Sequence, residues 1–335
     1  MTTKTRYFVV GSLLTLTVGL GVGLVAYTTG FSTSAFTSQG APQELQFVPA
    51  NAALVAYADV HDIMTSDLRQ KVRSAFPAKQ DGQREFQNLT GINIETDIDH
   101  VVVAIVPTGE PSGRMPGSAV VLARGRFDQV KIEALMREHG ATVEDYKGAR
   151  LVVGEAPQGK GPVSLAFLQP GLVVVGSSAL IKSAVDLKSG GSSVSTNEEM
   201  MGLINGLDGG NAWAAGRFDA LTSQTRFPDG VARQLPAVSL FSASAHIDSG
   251  IRGTLRADSR DEAAANSLRD VVRGFLGLAR LQASARPEFN AALESLQLSG
   301  TGKTVLLSFD LPASTLDALA SLAPHAPASA APPQQ

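Results

Sequence analysis

The chain contains no cysteine. That excludes disulfides, thiolate metal sites, a cysteine nucleophile and a lipid anchor attached through cysteine. Aromatic residues make up only 6% of the sequence, with one tryptophan, Trp213. This is too little for a stacking platform, so Trp213 is expected to pack in a core. Charge is also sparse at 18%, and the net charge is −3. Lys4 and Arg6 are the only charges before Glu44, so the rest of the chain sets the 28 basic residues less these two against all 31 acidic ones. A mildly acidic body argues against nucleic acid and against a polybasic lipid-binding surface. The hydrolase signatures G-x-S-x-G and S-x-x-K are missing as well.

One long stretch lacks charge altogether. Tyr7–Tyr27 reads YFVVGSLLTLTVGLGVGLVAY. As a helix it would span about 31 Å, the hydrocarbon thickness of a bilayer, and hydrocarbon leaves a lone segment no other backbone conformation. Tyr7, Phe8, Tyr27 and Phe31 place aromatic rings at both edges, and Lys4 and Arg6 favour a cytoplasmic N-terminus with the C-terminal body exported to the periplasm or cell exterior. A cleaved signal peptide is the competing reading. Its apolar region is normally shorter, and Ser34-Ala35-Phe36 is a poor cleavage site. The expectation is therefore an uncleaved single-pass anchor in the inner membrane. Gly19 and Gly23 form a small-xxx-small pair that could pack one such helix on another.

The expected organisation is a cytoplasmic N-terminus (1–6), a transmembrane helix (7–27), a flexible tether (28–45), a first α+β unit (46–190), a second (191–322) and a disordered Pro/Ala-rich tail (323–335). The fold class is α+β, with mostly antiparallel sheets carrying helices on one face. In the first unit, strands are expected at 52–59, 100–107 and 117–125, followed by a helix opened by Asp128 and four short strands. SGGSSVSTN, Ser189–Asn197, marks the internal boundary. In the second, strands at 238–247 and 250–257 meet at Asp248-Ser249-Gly250, and Ser259-Arg260-Asp261-Glu262 reads as a capping box for the longest helix. On that helix Leu268, Val271, Val272, Phe275, Leu278 and Ala279 form an apolar stripe. A-x-G-R-F-D occurs at 123–128 and again at 214–219, each time after a strand and before a helix, with the aspartate placed as N-cap. Duplication of the two units is one reading of this match, and two similar strand-to-helix turns is the other.

Three motifs suggest chemistry and have a plainer explanation. GTGKT at 300–304 would need glycine where Gln297 stands to be a phosphate loop, and it leads into a strand rather than a helix, so a hairpin turn is expected. Asn93, Glu95, Asp97 and Asp99 alternate as in a calcium loop but lack its central glycine and distal glutamate. Asp59, His61 and Asp62 lie at a strand end, where they could join His100 in a metal or acid–base site; helix capping accounts for the aspartates equally well. No cofactor is expected.

PANAALVAYADV, TGINIETDIDHVVVAI and GTGKTVLLSFDLP, in that order, resemble segments of single-pass bacterial envelope proteins of unknown function, as found in acidobacteria. The resemblance spans most of 47–322, rests on structural turns, and implies no activity. The functional expectation is a non-catalytic, membrane-anchored envelope protein that binds or scaffolds an envelope partner. Two alternatives stand beside it. One is a carrier for a lipid or other hydrophobic ligand, with Gly274 and Gly277 making room between helix and sheet. The other is an envelope hydrolase with an unrecognised site.

Overall fold

The computed structural model describes residues 41–75, 87, 92–107, 118–138, 140–155, 162–222, 237–283 and 290–312. The expected membrane helix with Gly19 and Gly23, most of the tether, all but residue 87 of the short helix at 82–89, the helix start at Pro287, the helix expected over 312–322 beyond its first residue Pro312 (which ends a strand) and the tail lie outside these residues. Among the described residues, no helix is long and apolar enough to cross a membrane.

The chain is of the α+β class and mostly antiparallel. Its strands are β1 (Leu54–Ala58), β2 (Ile98–Val106), β3 (Ser118–Gly125), β4 (Thr142–Tyr146), β5 (Ala149–Glu155), β6 (Pro162–Gln169), β7 (Leu172–Gly176), β8 (Ala212–Arg217), β9 (Val238–Ile247), β10 (Gly250–Ser259), β11 (Gln297–Ser299) and β12 (Thr304–Pro312). The helices are α1 (Val60–Thr65), α2 (Asp67–Ala75), α3 (Ile94–Asp97), α4 (Gln129–Glu138), α5 (Ser178–Leu187), α6 (Glu198–Asn205), α7 (Phe218–Thr222), α8 (Glu262–Ala283) and α9 (Asn290–Ser295). The described strands form one sheet, in the order β11-β12-β10-β9-β8-β1-β2-β3-β7-β6-β5-β4.

This continuous sheet is where the structure departs most from the expected pair of separate sheets. β1 and β2 pair antiparallel at its centre, flanked by β8 and β3. The apolar runs LVAYA and VVAIV (residues 102–106) have no polar alternation because the middle of the sheet is buried on both faces. One face packs its main core, including Val55, Tyr57, Val102, Leu122 and Val174, against α5, α6 and the 3-10 turn Gln43–Phe47. On the other, Val60, Met64, Ile94 and Ile98 cluster around α1 and α3, while Ala265 and Leu268 of α8 pack on Val305. The two sheet edges are poor templates for further pairing: β4 carries Glu144 and Asp145, and β11 is only three residues long.

The two A-x-G-R-F-D copies end β3 and β8, on opposite sides of the β1–β2 pair. Their backbones do the same thing. Arg126 N–H donates to Asp97 O at 2.7 Å, and Arg217 N–H to Ala53 O at 2.8 Å, each carbonyl lying just before the neighbouring central strand. Beyond the motifs the connections differ. From β3 the chain crosses to the far edge at β4 and returns strand by strand to β7, beside β3; from β8 it enters the adjacent β9. The aspartates differ too: Asp128 accepts from Lys131 N–H at 3.0 Å as a cap, whereas Asp219 lies inside α7.

Three local expectations are corrected. Residues 43–45, assigned to the tether, belong to the folded body: Glu44, Leu45 and Phe47 are buried, because this turn presses an apolar pair onto the sheet. Part of the expected boundary, Ser189–Asn197, also returns to the core. Gly190 and Gly191 take positive φ angles of 113° and 137°, turning the chain so that Val194 is fully buried and its N–H donates to Val48 O. At α8, Ser259 ends β10 and its buried hydroxyl has no partner among the described residues, while Asp261 caps the helix by accepting from Ala264 N–H at 2.8 Å. Asp261→Ala should therefore cost about 1 kcal/mol of unfolding free energy, and Ser259→Ala less than about 0.5 kcal/mol. Equilibrium urea denaturation of the two variants separates the assignments.

The expected stripe on α8 divides between two faces. Leu268 and Leu276 are buried, with Val272 packed behind them, whereas Phe275 and Leu278 are exposed together with Leu281.

Candidate functional site

The four polar residues singled out at the end of β1 and in β2 do not form one cluster. Asp59 closes β1 and caps α1, its carboxylate accepting from Asp62 N–H at 3.4 Å. Burial pushes the Asp59 carboxyl up, and the charge of Asp62 adds to this; the Asp62 N–H and the charges of His100 and His61 only partly offset it. His61 is exposed on α1, and Asp62 is half-buried one residue further. Thus three of the four belong to one capping turn, which is what the spacing of strand end and helix start requires.

His100 has different company. It stands opposite Arg124 in the β2–β3 register. Both side chains reach Glu44, which the 3-10 turn Gln43–Phe47 lowers onto this face of the sheet. Arg124 Nε and Nη2 donate to Glu44 Oε1 at 2.8 Å and 2.7 Å. His100 Nε2 lies 3.3 Å from Glu44 Oε2, close enough to pair but angled away from a straight hydrogen bond. Arg124 also donates to the Pro170 carbonyl at 3.4 Å and to Gln169 Oε1 at 3.5 Å. Glu44 is only 3% exposed. Burial alone would raise its pKa, but the contacts from His100 and Arg124 outweigh that and hold it at about 2. It is a fixed anion over the whole physiological range.

An aromatic row continues from this cluster. The Tyr57 ring lies 5.4 Å from His100, tilted by 49°, and 5.5 Å from Trp213, stacked at 26°. Tyr57 and Trp213 are cross-strand neighbours in the β1–β8 register, so the contact follows directly from strand pairing. Trp213 is half-buried and packs against the main core, as its rarity in the sequence suggested. A proton held on His100 Nε2 would face a carboxylate already satisfied by arginine. The arrangement suits orientation and charge neutralisation rather than proton transfer.

Sequence reasoning missed Glu44 and Arg124. Glu44 is the first charge after a long uncharged stretch, and Arg124 interrupts an otherwise apolar strand. Glu44 falls in the stretch assigned to the tether, and the 80-residue separation concealed that the two are partners.

The other chemical motifs are also engaged structurally. Asn93 caps α3 by accepting from Glu95 N–H at 3.0 Å, and the Asp97 carboxylate accepts from Asn93 N–H at 2.9 Å. Among the described residues, no group of three or more His, Asp or Glu side chains could hold a metal ion. GTGKT forms the β11–β12 hairpin, with Gly300 and Gly302 at positive φ angles of 98° and 56°. Arg269 of α8 donates to the Gly302 and Thr304 carbonyls, both at 2.9 Å, and holds this turn against the helix. Gly274 and Gly277 give the carrier expectation no room between α8 and the sheet. Both are exposed, and a Cβ on either would meet nothing within 4 Å.

No protein-family model matches the chain. No curated protein matches it either. One similar solved structure is described as "Structure of crystal form I of TP0453"; it shares 10% identity at a TM-score of 0.45, over 84% of this chain and 98% of that one. Likeness at this level transfers neither ligand nor activity.

Proposed function

We propose that this protein is a non-catalytic, membrane-anchored envelope protein, and that its folded body works by binding or scaffolding another envelope protein. Tyr7–Tyr27 is the anchor in this reading. The body is exported, and the polypeptide after Tyr27 gives it reach from the membrane. The observation that carries the proposal is the state of Glu44. It is the carboxylate beside His100 and the group best placed to act with it in acid–base chemistry, yet Arg124 neutralises it and its pKa is held at about 2. Asp59 is likewise committed to capping α1. Among the described residues, Glu44 and Arg124 hold the 3-10 turn Gln43–Phe47 to the sheet, and Asp59 joins β1 to α1.

Site-specific photocrosslinking in intact cells tests the proposal. Probes at surface positions on separate elements, such as Glu138, Arg252 and Asp270, should give a discrete adduct at neighbouring positions, with the partner identified by mass spectrometry and confirmed by reciprocal crosslinking. A surface that yields no protein adduct at any position, or only lipid adducts, would overturn it.

A further inference from the structure

We draw no further inference here: the strongest candidate, the outward apolar strip of α8 formed by Phe275, Leu278 and Leu281 beside Gly274 and Gly277, carries nothing because nothing in the structure shows what covers it.

Discussion

Arg124→Ala is expected to lower the unfolding free energy by about 3 kcal/mol, the lower end of the range for breaking a buried ion pair. The loss arises less from the attraction removed than from what remains. Glu44, 3% exposed in the intact protein, would lose the two Arg124 donors and keep the poorly aligned His100 nitrogen. Arg124 itself is a quarter exposed, which keeps the figure from the top of that range. The reciprocal change is milder. Glu44→Gln leaves Arg124 its Pro170 and Gln169 contacts and partial access to water, and should cost about 1–2 kcal/mol at neutral pH. Replacing both partners together, Glu44→Leu with Arg124→Met, should recover much of the Arg124→Ala loss, because no charge is then left buried. Urea denaturation of the three variants checks the order. A double variant less stable than Arg124→Ala would show that the pair contributes more than mutual neutralisation.

Gly125→Ala is the second large effect, expected at about 2–3 kcal/mol. A Cβ there would stand 2.1 Å from Asp97 O, a backbone atom that can yield only if β2 and β3 separate. Gly216→Ala repeats the clash against Ala53 O at 2.6 Å and should cost somewhat less. Gly274→Ala should do the opposite. It lies in the interior of α8 with open space around it, so it should stabilise the protein by about 0.5–1 kcal/mol through helix propensity. Thermal denaturation of the three variants should therefore give two downward shifts in Tm and one upward. A neutral Gly125→Ala would refute the explanation of the repeated A-x-G-R-F-D glycine as a close-approach position.

That repeat shows how far the sequence could be read. Its local content was legible: a strand followed at once or within three residues by a helix, at both places. Its global meaning was not. Two six-residue stretches that differ only at Arg124 and Ala215 say nothing about which strand lies alongside, and here the chain leaves β3 for the far edge but leaves β8 for its neighbour. Strands were legible where β-branched residues run together, and β9 spans Val238–Ile247 as its pattern indicated. Ser259 misled for a related reason. It matches the capping-box pattern, but strand pairing with Val238 keeps it in β10, and the cap passes to Asp261. The division of the stripe on α8 has the same origin. Helical periodicity collected Leu268, Phe275 and Leu278 into one apolar surface, whereas contact with a flat sheet buries a narrower arc of the helix. The polar cluster was the least legible part. His100 could be named from composition alone, but the contacts that define it come from Glu44 and Arg124, brought together only by a turn docking across the sheet.

The Glu44 carboxylate acts as a fixed structural anion rather than a group that handles protons. Its folded pKa of about 2 lies below the ordinary 4.5, so its contribution is fully present above about pH 4.5 and is lost as the pH falls towards 2. Urea unfolding of the wild-type chain and Glu44→Gln at pH values from 7 down to 3 measures it directly. The account predicts a stability gap that is constant from pH 7 to about 5 and closes steadily below that. A gap that already changes between pH 5 and 7, both in the wild-type chain and in a His100→Gln background where the facing imidazole is gone, would contradict it, since Glu44 would then take up a proton in the folded protein at physiological pH.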